Sequence, residues 1–223
     1  MKALIVLLVS GTVMLAQTPA PSQKAPAENP LLHPATLKAK APDEFKVKFA
    51  TTHGDFVVAV HRAWSPLGAD RFYNLVKNHF FNDAAFFRYV PGFIVQFGIP
   101  AKPEIAAVWQ NANIQDDPIT PVNSNKKGTL VFATAGPGTR TTQLFVNLAD
   151  NSRSLDPQHF TAFGEVTEGM DIVQGLYSGY GEMPEQGRIQ TQGKAYLDKS
   201  FPKLDSVKSA AILPAEGAAP PKK

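Results

Sequence analysis

FFRYVPGFIVQ, residues 86–96, sets one arginine, Arg88, in a run that is otherwise almost wholly apolar or aromatic. A guanidinium stays charged and is rarely buried alone, so an arginine in that setting implies a partner for it. A second apolar segment, FATAGPGTRTTQLFVN at residues 132–147, is broken by glycines and small polar residues, and LDPQHFTAFGEVTEGMDIV follows at 155–173. Outward from these blocks, strand-like runs at 86–89, 93–97, 129–134, 144–148 and 161–166 are separated by Gly, Pro, Asn and Asp. Short strands punctuated by turns argue for an all-β sandwich or barrel. Residues 46–49 alternate with period two, His53, Gly54 and Asp55 make a turn, and 56–60 resume an apolar run, which predicts a β-hairpin. Ser65 followed by Pro66 predicts a helix with Ser65 as N-cap, its apolar members Phe72, Leu75 and Val76 facing the core. A second helix is expected at 168–177, and a last strand at 208–213 that returns to pair near the first.

At 223 residues and 43% hydrophobic content, the chain suits one domain with a substantial core. Residues 1–16, with Lys2 ahead of an apolar stretch, read as a secretory signal peptide too short to span a bilayer comfortably, an uncleaved membrane anchor being the minority reading. Residues 17–43 hold six prolines and read as a disordered linker, 44–213 as the domain, and 214–223 as a disordered tail. The expected location is periplasmic or secreted. The chain has no cysteine, hence no disulfide framework and no thiol nucleophile. Its formal charge of +3 comes from the flanks, because residues 44–213 carry 16 basic and 16 acidic side chains. With no basic stripe, nucleic-acid binding lacks a driver. His33, His53, His61 and His79 show no metal-ligand spacing, so no metal and no cofactor are expected. Gly136 and Gly138 lack the third glycine of a dinucleotide loop, and no serine stands in a Gly-x-Ser-x-Gly setting.

The three blocks, in this order, resemble the active-site signature of the cyclophilin-type peptidyl-prolyl isomerases. The resemblance implies a closed eight-stranded antiparallel β-barrel capped by two α-helices. It also implies that X-Pro bonds in unfolded or partly folded polypeptides are isomerised, with no nucleophile. Arg88 matches the family arginine that favours the twisted amide. Phe93, Ile94, Phe145 and Leu155 match the apolar proline pocket, although each taken singly is more often a core residue. Gln96 and Gln143 match glutamines that bond substrate or hold the arginine. Ala133, Thr134 and Ala135 fall where the family offers a backbone edge to an extended peptide. One further pocket position falls on His159 by identity or on Phe160 by spacing from Phe163.

Three departures stand out. Gln96-Phe97-Gly98-Ile99 replaces the usual Gln-Gly-Gly-Asp, and the glycine-rich loop that normally follows is absent from 101–113. Ser154 stands where many members carry an aromatic residue, which implies weak cyclosporin inhibition. The reading is an exported, monomeric isomerase. Its alternatives are a non-catalytic chaperone or scaffold that holds proline peptides on the same barrel, and a small-molecule carrier, which would need a hollow interior.

Overall fold

The structure, a computed structural model, describes residues 28–215. The signal-like segment, the first part of the linker and most of the tail lie outside them. Eight strands, β1 (Glu44–Thr51), β2 (Asp55–His61), β3 (Arg88–Val90), β4 (Ile94–Phe97), β5 (Thr129–Phe132), β6 (Leu144–Asn147), β7 (Ala162–Glu168) and β8 (Val207–Ile212), form one sheet. All its pairings are antiparallel, in the order β3-β4-β6-β5-β7-β2-β1-β8. The predicted hairpin is β1–β2, and the last strand pairs with the first. Inward-facing residues of successive strands meet in a phenylalanine core. Phe49 stacks on Phe56 at 4.8 Å, Phe86 lies 5.0 Å from Phe97, and Phe132 lies 5.1 Å from Phe163. These rings fill the interior that a carrier would need to keep open.

The sheet is an open, curled half-barrel, which corrects the expected closed one. Its edges, β3 and β8, meet only at the bridge Ala85↔Ser206 and through three backbone bonds. The amide of Asp83 donates to the carbonyl of Val207 (2.7 Å), that of Val207 to Ala84 (2.9 Å) and that of Phe86 to Asp205 (2.9 Å). A ladder cannot run on here, because Asp83 sits at φ +62°, a left-handed conformation incompatible with a strand.

Two helices are where the sequence places them, α1 (Pro66–Lys77) and, shorter than expected, α4 (Met170–Gly175). Phe72, Leu75 and Val76 of α1 are buried. Ser65 occupies the N-cap position without capping through its own side chain, since its hydroxyl donates to Asp117 (2.6 Å). The Asp117 carboxylate instead accepts from the amides of Leu67 and Gly68, both at 3.0 Å, so the cap comes from fifty residues away. Three helices add to the expected two: α2 (Pro103–Trp109), the single turn α3 (Ser152–Leu155) and α5 (Gln186–Ser200). α5 buries Ile189, Tyr196 and Leu197 in a second apolar cluster with Phe87 and Ile99, on the flank of β3 and β4.

Residues 28–43, expected as part of a disordered linker, lie along the domain as a strap. Two 3₁₀ turns, Pro30–Leu32 and Pro34–Thr36, lead into an extended run. Leu31 and Ala41 are buried, and the Trp109 indole donates to the Leu31 carbonyl at 2.8 Å. Asn74 of α1 accepts from the Ala39 amide (3.1 Å) and donates to its carbonyl (2.7 Å), while Asp70 accepts from the Ala41 amide at 2.8 Å. Composition pointed to disorder because the prolines dominate it. The few apolar and backbone groups that dock on α1 and α2 carry no periodic signal.

Candidate active site

Strand register builds the site. Arg88 of β3 stands opposite Gln96 of β4, Gln96 opposite Phe145 of β6, and Phe145 opposite Val131 of β5. Side chains alternate across a strand, so this row faces outward while Tyr89, Val95, Leu130, Leu144 and Val146 face the core. Arg88, Gln96 and Phe145 of that row floor a cleft of about 570 Å³.

Arg88, Phe93, Ile94, Gln96, Ala133, Thr134, Ala135, Gln143, Phe145, Leu155 and Phe160 all line that one cleft. Its apolar end is made by Ile94, Phe145 and Leu155, which are 3–6% exposed, with Phe93 and Phe160 packed against them. Phe160 meets Phe145 edge-on at 5.7 Å. His159 is not in the cleft. It closes the 3₁₀ turn Asp156–Gln158 at φ +61°, and that left-handed step turns it toward a separate depression beside Asp116, Asp117 and Pro137. Spacing from Phe163 therefore locates the pocket residue, and identity does not.

Arg88 is held from two sides. One Nη1 hydrogen goes to Gln96 Oε1 (3.2 Å), and Gln96 in turn donates to Gln143 Oε1 at 2.8 Å. On the other side Nε and Nη2 lie 2.6 Å and 2.5 Å from Glu182 Oε1. Glu182 lay outside the sequence reading, 94 residues away and in no recognisable motif. The Ala133–Ala135 edge is partly used: Ala133 N donates to the Gln143 carbonyl (2.9 Å) and Ala135 N to the Thr139 hydroxyl (3.0 Å). Thr134 turns its hydroxyl to the Gly136 carbonyl and to Thr139.

Behind the pocket, three asparagines form a network that the sequence did not point to. Asn151 donates to both the Phe93 carbonyl (2.8 Å) and Asn147 Oδ1 (2.7 Å). Asn147 donates to Asn125 (3.2 Å), and Asn125 donates to the Phe160 carbonyl (2.7 Å) and to Asp156 (2.8 Å). Pocket walls at Phe93 and Phe160, on two different loops, are thus tied into one buried polar relay. Burial alone would raise the Asp156 carboxyl, but hydrogen bonds from Ser124 and Asn125 outweigh it and hold the group below its ordinary range.

The far end of the cleft is polar and uncharged. Gln110, Asn111 and Asn113, in the segment that follows α2, face Gln186 and Gln190 of α5 and Thr139 and Thr141. Helix α2 fills the place of the missing glycine-rich loop. Arg71 braces this rim from beneath, donating to the carbonyls of Ala112 (2.6 Å) and Thr141 (3.0 Å) and lying 5.1 Å from the Trp109 ring. Burial, with a smaller push from Arg140, lowers its guanidinium to about 10, still charged at neutral pH.

Residues 46–193 match the family model described as cyclophilin type peptidyl-prolyl cis-trans isomerase/CLD. The chain is 31% identical to a peptidyl-prolyl cis-trans isomerase of Acinetobacter baylyi over 144 residues, covering 61% of this chain and 74% of that one. It is 31% identical to peptidyl-prolyl cis-trans isomerase B of Escherichia coli, over 57% of this chain and 80% of the relative. The fold resembles the crystal structure of a Cryptosporidium parvum cyclophilin type peptidyl-prolyl cis-trans isomerase, with a TM-score of 0.57 and 16% identity, covering 77% of this chain and 99% of that one. A second structure of that protein, in the presence of the dipeptide Ala-Pro, matches with a TM-score of 0.57 at 17% identity, over 76% of this chain and 99% of that one.

Proposed function

The chain belongs to the cyclophilin-type peptidyl-prolyl cis-trans isomerase family, and we propose that its isomerase chemistry takes place in the cleft that joins Arg88 to the apolar pocket. Rotation about an X-Pro amide is slow because partial double-bond character raises a barrier of about 18–20 kcal/mol. Any site that binds the twisted amide better than either planar form lowers that barrier, and no covalent step is required.

The proline ring enters among Phe93, Ile94, Phe145, Leu155 and Phe160, whose apolar walls keep water from the amide. As conjugation is lost, the lone pair localises on the prolyl nitrogen, and an Nη hydrogen of Arg88 donates to it. Gln96 holds the guanidinium there, Gln143 holds Gln96, and the Ala133–Ala135 edge receives the extended chain. The observation that carries the reading is the register Arg88–Gln96–Phe145, which sets one cation beside the apolar pocket. Clients are proline-containing polypeptides, and the protein acts as an exported monomer after loss of residues 1–16.

A protease-coupled assay on an X-Pro tetrapeptide cut only in its trans form tests this. Wild type should accelerate the slow phase, and Arg88→Ala should lose most of the acceleration. Well-folded wild type that binds the peptide without acceleration would move the reading to a proline-peptide chaperone on the same fold.

A further inference from the structure

Arg88 is the one charged side chain among the described residues lining the cleft, and Glu182 grips it from outside. We propose that Glu182 is a positioning residue that fixes the plane of the Arg88 guanidinium, a role that rests on Arg88 acting as proposed above.

The contact is built into the backbone. The amide of Tyr89, next to Arg88, donates to the carbonyl of Gly181, next to Glu182, at 3.0 Å. Gly181 adopts φ +53° with open space around it, a left-handed step that disfavours a side chain. On the other side of the loop Tyr180 packs edge-on against Phe201 at 5.1 Å, and the Glu185 amide donates to the Tyr196 hydroxyl at 3.3 Å. The loop is therefore pinned both to the strand that carries Arg88 and to α5.

Donor geometry separates positioning from blocking. A guanidinium has five N–H donors in a planar fork. Glu182 takes Nε–H and lies within ion-pair distance of Nη2, and Gln96 takes one Nη1 hydrogen. At least one hydrogen on each Nη is left for a substrate. Two anchors at different points of a rigid plane set both its tilt and its rotation, which a single glutamine cannot do. The Glu182 side chain is 60% exposed, so its charge is screened and its value lies in geometry.

The test measures kcat and KM separately for Glu182→Ala and Glu182→Gln, together with the Arg88 Nε–H resonance. Glu182→Ala should lower kcat about five- to tenfold with KM within about twofold, since small misplacements of a reacting group fall on the chemical step. Glu182→Gln keeps an acceptor oxygen and should recover at least half of the wild-type kcat. The Nε–H signal should persist in wild type and Glu182→Gln and vanish by exchange in Glu182→Ala. The double variant Arg88→Ala/Glu182→Ala should be no slower than Arg88→Ala. An unchanged or raised kcat in Glu182→Ala, beside an inert Arg88→Ala, would overturn this inference alone. An Arg88→Ala protein as active as wild type would overturn the reading of the site as well.

Discussion

Replacing Asp156 by asparagine removes a negative charge from the loop that carries Leu155 into the cleft. Oδ1 of Asp156 accepts from the Asn125 amide (2.9 Å) and its side-chain nitrogen (2.8 Å), and Oδ2 from the Ser124 hydroxyl (2.5 Å). Asparagine has one acceptor oxygen, so at least one of these donors would face an NH₂ group. Hydrogen bonds to a charged group contribute about 1.5–3 kcal/mol each, and with the residue only half-buried a net loss of about 2–3 kcal/mol is expected. In a domain of this size each kcal/mol is about 2–4 °C, so the Tm should fall by roughly 5–10 °C at pH 7. The pH dependence has a definite sign. The folded carboxyl titrates below its unfolded value of about 3.9, so its stabilisation is complete above that value and is lost as pH falls through the folded one. Thermal unfolding followed by circular dichroism from pH 7 to pH 3 measures this. The gap between wild type and Asp156→Asn should be constant above about pH 5 and close toward pH 3. Asp70 and Asp150 also titrate below their ordinary range, so an acid limb remains in the variant. Equal Tm values at pH 7, or a gap unchanged down to pH 3, would refute the reasoning.

Gln96→Leu keeps the volume of a 6% exposed side chain but leaves Gln143 and one Nη1 hydrogen of Arg88 without their partner. Its kcat/KM should fall about 10- to 100-fold with the fold intact, as read in the coupled assay and by circular dichroism. Trp109→Phe deletes the indole bond to the Leu31 carbonyl, at about 1–2 kcal/mol. Trypsin should then cut after Lys38 and Lys40 faster than in wild type. Ser154→Trp supplies the aromatic surface that the family resemblance associates with cyclosporin, and titration should show about tenfold tighter binding.

The site was more legible than the scaffold around it. Arg88, Gln96 and Phe145 lie in short strands that read as near-continuous apolar runs, so it was the match of the ordered blocks to the family signature, and not alternation, that picked them out. Helix α5 was missed because its apolar positions, Ile189, Tyr196 and Leu197, flank Gly193. There the backbone turns to φ +60°, ψ −147°, and the amide of Lys194 bonds the Ala101 carbonyl at 2.9 Å. The helix is kinked at that point, and no straight helical period describes it. Glu182 and the asparagine relay were invisible for another reason. Their partners are brought to them by tertiary packing, as Asp117 is brought to the end of α1, and no local pattern encodes a distance across the fold.

The curled sheet with its seam at β3 and β8 behaves as a split ring. Such a ring can widen at its gap while the curvature opposite stays fixed. Widening here would break the three backbone bonds at Asp83, Phe86 and Val207, whereas widening anywhere else would break a whole strand ladder. Arg88 stands two residues beyond the last of the seam bonds on its side, while Phe145 lies on β6, paired on both flanks. The free edge of the sheet thus lies on the arginine side of the cleft, while the floor at Phe145 is a strand laddered on both flanks.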